Sequence, residues 1–168
     1  MTMDYEKAAS FWDEQAKGAA VMERDALERV ADAFLASHNT CALATGWDGF
    51  VRCTPLEYTW WNSRFWFLSE GGHKFAALAH NQNVSLAVFE PYEGFGRLAG
   101  VQVAGRASLI EPWSEDYMAL LAHKNIPEAP LRQLDHPMHL LCVTPTHMDI
   151  LFSTLKAQGF SARQTLDF

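Results

Sequence analysis

The chain has 168 residues, 49% hydrophobic and 20% charged, a globular composition that argues against disorder and can build a core without disulfide staples. Its net charge of −7 and pI near 5.4 speak against a nucleic-acid partner, although two or three local cations suffice to hold a phosphate. Cys41, Cys53 and Cys142 show no CxxC spacing and suggest no disulfide framework or zinc ribbon, so they are expected as reduced thiols of a cytoplasmic protein; no apolar run reaches the ~18 residues of a membrane helix.

In chain order, Met3 to Gly18 reads as a short helix. It is part of an N-terminal extension over residues 1–20, and its acids Asp4, Glu6, Asp13 and Glu14 exclude a signal peptide. Glu23 to Ser37 is a stronger helix, with Leu27, Val30, Phe34 and Leu35 near helical spacing and a stop at His38-Asn39. Thereafter the period shortens. Thr40 to Thr45 is a short apolar strand, Asp48-Gly49 a hairpin turn, and Phe50 to Trp61 one strand. Asn62 and Ser63 turn the chain into a strand from Arg64 to Ser69. Gly71-Gly72 breaks that strand, and Lys74 to Asn81 reads as a short helix with Phe75, Leu78 and Ala79 inward. Val84 to Phe89 and Leu98 to Ile110 are strands, with Pro91 to Gly96 as a loop between them. Ser114 caps a helix to His123, with Glu115 and Asp116 in its first turn. Pro127 to Leu134 is a loop or short helix, His139 to Thr144 and His147 to Ser153 are two strands, and the tail from Lys156 is irregular. Six or seven strands in a meander with few helices predict a mainly β, small antiparallel barrel as one domain over residues 1–168.

Two segments carry possible chemistry. In Arg52-Cys53-Thr54-Pro55-Leu56-Glu57, a strand places Arg52, Thr54 and Leu56 on one face, and Pro55 marks an edge or a ligand-facing backbone. The Arg52 fork suits a phosphate, but taken alone Arg52 reads first as a surface residue paired with Glu57 or Glu70. In Ser69-Glu70-Gly71-Gly72-His73-Lys74, glycines at a strand-to-helix junction let backbone N–H groups, a hydroxyl and an ammonium approach an anion. A hairpin pairing would set Arg52 and Ser69 on neighbouring strands, so that cations from the two segments could meet on one phosphate. Elsewhere, the 93–100 stretch lacks the GxGxxG spacing, and His136-Pro137-Met138-His139 lacks a third metal ligand, so no metal site is expected. Cys53 has no adjacent base and reads as packing.

The ordered set RCTPLE, FLSEGGHKFAAL, NQNVSLAVF and VQVAGRASLI, between Arg52 and Ile110, resembles the pyridoxamine 5′-phosphate oxidase-like split-barrel family that binds FMN. The resemblance implies FMN between the subunits of a homodimer, with Arg52, His73 and Lys74 on the phosphate. The backbone of Cys53, Thr54, Pro55 and Leu56 would line the isoalloxazine ring, Leu68 and Ser69 would flank the ring and ribityl chain, and Gln102 would reach the flavin. It implies an oxidoreductase whose flavin does the electron transfer, with a nicotinamide nucleotide as a candidate donor and no catalytic side chain assigned. His73 stands where the family usually has a second basic residue, the oxidase glutamine falls nearer Gly100, and the C-terminal pyridoxal-phosphate segment is reduced to Arg163-Gln164. Vitamin B6 oxidation is therefore not expected. The alternatives are a deazaflavin-dependent reductase, or a non-catalytic flavin or haem module with His73, His80, His123 or His147 as axial ligand.

Overall fold

A computed structural model describes residues 3–168. Helices α1 (Tyr5–Ala9) and α2 (Phe11–Ala16) meet at Ser10, so the expected first helix is two short ones. Helix α3 (Arg24–Ser37) buries Leu27, Ala31 and Leu35 at fourfold spacing, the stripe that seats it on the sheet.

The sheet is antiparallel and curled. Its path runs β2 (Phe50–Glu57), β1 (Thr40–Trp47), β5 (Asn83–Phe89), β6 (Ala99–Ile110), β7 (His139–Phe152), β4 (Arg64–Ser69), β3 (Thr59–Trp61), and β8 (Arg163–Asp167) pairs with β7 off this path. Two hairpins form where expected. Asp48 and Gly49 take φ of 43° and 78°, and Asn62 and Ser63 take 52° and 55°, the left-handed pairs that match strand twist.

Three expectations change. Phe50 to Trp61 is not one strand: the chain breaks at Tyr58, whose ring is buried and whose hydroxyl donates to the Leu35 carbonyl at 2.8 Å. Before the break β2 pairs with β1; after it β3 pairs with β4 at the opposite end of the path. Arg52 is thus opposite Thr45 and Ser69 opposite His139, so the two are not on paired strands. Second, residues 139–152 form one continuous strand. Thr146 is the extra residue between Ala104↔His147 and Gly105↔Pro145, a bulge that accommodates Pro145 within the strand. A Cβ on Gly105 would come within 2.8 Å of the Thr144 carbonyl, so glycine is required for that approach. Third, the tail is ordered as a 3₁₀ turn over Ser153–Gln158 and then β8. Strand β7 is long enough to pair with β4 in its first half and β8 in its second.

One core fills the curl between α3 and the inner face, with Leu43, Phe65, Phe67, Val101, Val103 and Val143. A second lies where helix α5 (Glu115–His123) covers the other face of β4 and β7 through Tyr117, Leu120 and Leu121 against Trp66, Leu140 and Cys142. Those strand segments are buried on both faces, which is why RFWFLS and HLLCV read as unbroken apolar runs. Ser114 caps α5 by accepting from the Tyr117 N–H, as its sequence position predicts. Helix α4 (Lys74–Leu78) turns Lys74 and Ala77 inward and leaves Ala79 exposed, and helix α6 covers Glu128–Arg132. No helix of the described residues is long and apolar enough to cross a membrane.

Candidate functional site

Strands β2 and β4 approach each other across the opening where the curled sheet fails to close, and a cleft of about 620 Å³ lies there. Directly paired residues of an antiparallel ladder share a face. Arg52, Thr54 and Leu56 therefore face the same side as Thr45, Leu43 and Cys41, the inner face of the curl. All three line the cleft from one side, and Leu68, Ser69, Gly71, Gly72, His73 and Lys74 line it from the other. The side chains of Cys53 and Pro55 alternate to the outside of β2 and are exposed, lying between the cleft-lining residues Arg52, Thr54 and Leu56. Pro55 is on an edge strand, where a missing N–H removes no ladder bond on the open side. Gln102 is exposed on the outer face of β6, between Ala87 and Asp149, away from the cleft. Of the ten predicted residues, seven line the cleft, Cys53 and Pro55 are interleaved with them on β2, and Gln102 lies elsewhere.

The chemistry centres on Lys74, which is 4% exposed. Its Nζ donates to Ser69 Oγ at 2.7 Å and to the Gly71 carbonyl. Ser69 Oγ in turn accepts from the Gly71 N–H at 3.2 Å. This loop depends on glycine: Gly71 and Gly72 have φ of 146° and 111°, and a Cβ on Gly72 would rest 3.7 Å from the ammonium. Burial, and then the charge of Arg52, hold the Lys74 ammonium below its usual 10.5. Neither cation has a carboxylate within 4.0 Å among the described residues. The pairing of Arg52 with Glu57 does not occur, because Glu57 is engaged by Lys124 at 2.9 Å. Glu70 lies on the rim, exposed and unpaired with Arg52. Thr54 Oγ1 is buried without a hydrogen-bond partner. Two cations without counter-charge and an orphaned hydroxyl on one cleft make a place for an anion. Helix α4 has only five residues, so the positive potential comes from side chains rather than from a helix terminus.

Met138 also lines the cleft and was not foreseen as a site residue, because it arrives through the long-range pairing of His139 with Ser69. The tail pair does not reach the site. Gln164 is buried, accepting from the Met22 N–H and donating to the Ala20 and Ser161 carbonyls, and Arg163 stacks over Trp12. Of the histidines considered as ligands, His80 stacks on Trp47 and His123 on Trp61, and His147 is bonded to Asp167, whereas His73 is exposed at the cleft. Among the described residues no three His, Cys, Asp or Glu side chains are arranged so that they could hold a metal ion.

The sequence profile of the family described as pyridoxamine 5′-phosphate oxidase matches residues 27–152. No curated protein matches the chain. Among solved structures, an FAD-binding protein from Mesorhizobium loti superposes with a TM-score of 0.58 at 22% identity, over 73% of this chain and 89% of its own. The haem storage protein HutZ from Vibrio cholerae gives 0.58 at 20% identity, over 71% and 89%. ChuZ from Campylobacter jejuni gives 0.64 at 15% identity, over 99% and 70%.

Proposed function

The chain belongs to the pyridoxamine 5′-phosphate oxidase family, and from that premise we propose that the cleft between β2 and β4 holds FMN by its phosphate, in an oxidoreductase acting on a small molecule other than a B6 vitamer. The observation that carries the reading is the buried Lys74 ammonium beside Arg52, without a carboxylate partner, facing a cleft with an orphaned Thr54 hydroxyl. A phosphate dianion supplies the charge and the acceptors these groups lack. FAD-binding and haem-storage proteins share the fold; a single phosphate suits two converging cations better than a haem, for which His73 is the histidine facing the cleft.

Bound flavin supplies the electron transfer. Arg52 and Lys74 anchor the phosphate, Ser69 orients the ammonium through its hydrogen bond, and Leu56 and Leu68 offer apolar contact to the ring. The other long edge of β2 is unpaired, and Val51 beside it is 83% exposed, with Phe50 and Trp47 also exposed. In this reading a second copy covers that surface and completes the flavin site, and a nicotinamide nucleotide is the donor.

Purified protein should show the two-band visible spectrum of oxidised flavin, and mass spectrometry of the extract should return FMN. A Soret band, or a deazaflavin mass, would replace this reading with one of the alternatives. Arg52→Ala with Lys74→Ala should weaken binding roughly ten- to a hundred-fold per cation while leaving the circular dichroism unchanged. Wild-type flavin occupancy in that folded double variant would refute the phosphate assignment. Rapid mixing with reduced nicotinamide nucleotide then reports turnover, which a non-catalytic binder lacks.

A further inference from the structure

A second cavity, of about 360 Å³, lies between α2, the segment around Phe95 and Leu98, and the start of β8. Phe95, Leu98 and Leu151 make part of its wall apolar, whereas Lys156 and Arg163 make another part cationic. Arg163 is held in position: its guanidinium sits 3.9 Å from the centroid of the Trp12 ring. That contact orients the guanidinium plane but uses none of its N–H donors. Neither Arg163 nor Lys156 has a carboxylate within 4.0 Å among the described residues. In a chain of net charge −7, two cations are thus turned toward one apolar cavity without counter-charge.

We propose that this cavity binds a small organic anion, an apolar or aromatic body ending in a carboxylate or phosphate. Arg163 and Lys156 take the anionic head, the first through its planar fork. Phe95, Leu98 and Leu151 surround the body, and the volume falls at the low end of small-molecule sites, which start near roughly 300 Å³. The site is distinct from the flavin cleft. His139 is opposite Ser69 of that cleft, whereas Leu151 of this cavity is near the other end of the same strand. At a rise of about 3.3 Å per residue the separation approaches ~40 Å, less what the bulge takes up. The proposal therefore stands whether or not the first cleft takes flavin. Because Trp12 belongs to α2, occupancy would also tie the N-terminal extension to the barrel.

The test uses the full-length protein as purified, titrated with benzoate, phenyl phosphate and neutral benzamide, and read by ligand-observed NMR and tryptophan fluorescence. Benzoate or phenyl phosphate should bind saturably, and benzamide at least tenfold more weakly; whichever anion binds tighter identifies the head group. Arg163→Gln and, separately, the exposed Lys156→Gln should each weaken the anion at least tenfold without changing flavin content. Trp12→Phe should remove the fluorescence response and keep the binding. Arg52→Ala should leave the anion affinity alone. Equal binding of benzamide, no saturation by either anion, indifference to both Arg163→Gln and Lys156→Gln, or dependence on Arg52 instead, would each overturn the proposal.

Discussion

Lys74 is built against its own stability. Its folded-state pKa is depressed, first by burial and then by Arg52. A depressed pKa means that the unfolded chain holds the proton more tightly. Lys74 therefore favours folding most above its unfolded 10.5, and that contribution is lost as pH falls through the folded value, so at neutral pH the charge opposes folding. Methionine keeps the stem volume and removes the charge. Lys74→Met in cofactor-free protein should melt no lower than the parent at pH 7, since what it loses, the bonds to Ser69 and Gly71, is offset by relief of a buried cation. The same variant should bind FMN roughly ten- to a hundred-fold more weakly. A melting point several degrees below the parent would recast Lys74 as a strut for the 69–72 loop rather than an anion ligand. The residue types at this site were legible in the sequence: an Arg on a strand face, then Ser, two glycines and Lys. The period of two also placed Arg52, Thr54 and Leu56 on one face; what could not be read was which face of a strand turns toward the cleft. Gln102 shows the difficulty: it faces the far side of β6, because a face assignment needs the pairing partner as well as the period of two.

At the level of elements, hairpins were legible because their turn residues carry local chemistry, whereas the break at Tyr58 and the fused β7 depend on contacts distant in sequence. Strand β8 escaped for the same reason: its polar side chains answer to β7, to the 20–22 segment and to Trp12, not to a local pattern. One of those answers is ionic. His147, on β7, shares its Nδ1 with Asp167 of β8 at 2.7 Å and sits 3.4 Å from Asp149. The Asp167 hydrogen bond leads the effects that raise the imidazole above its ordinary 6.5. With a raised folded pKa, the contribution is complete below about 6.5 and disappears as pH climbs through the folded value. His147→Gln should therefore lower the melting temperature most at pH 5.5–6, with the gap to wild type closing toward pH 8. The site is partly exposed, so 1 M salt should shrink the gap as well. A gap that is independent of both pH and salt would show that His147 acts by packing alone.

On the scale of the molecule, the sheet's failure to close is what creates the cleft: β2 and β4 belong to opposite ends of the strand path yet frame one cavity. The sequence order of four motifs was enough to anticipate the barrel, because each motif is a strand or a strand junction. The opening has no sequence period of its own and emerges only from the closed register. An anion bound there bridges the two ends of the path, so ligand binding and global stability are linked. At a ligand concentration of 100 Kd the linkage is worth about 2.7 kcal/mol. For a chain of this length about 1 kcal/mol moves the midpoint by roughly 2–4 °C, so saturating FMN should raise the melting temperature of cofactor-free protein by roughly 5–11 °C. Riboflavin, which lacks the phosphate, should give a much smaller shift, and Arg52→Ala should reduce the FMN shift toward the riboflavin value. Equal shifts for FMN and riboflavin in the wild-type protein would mean that the ring alone is recognised and that the two cations hold something else.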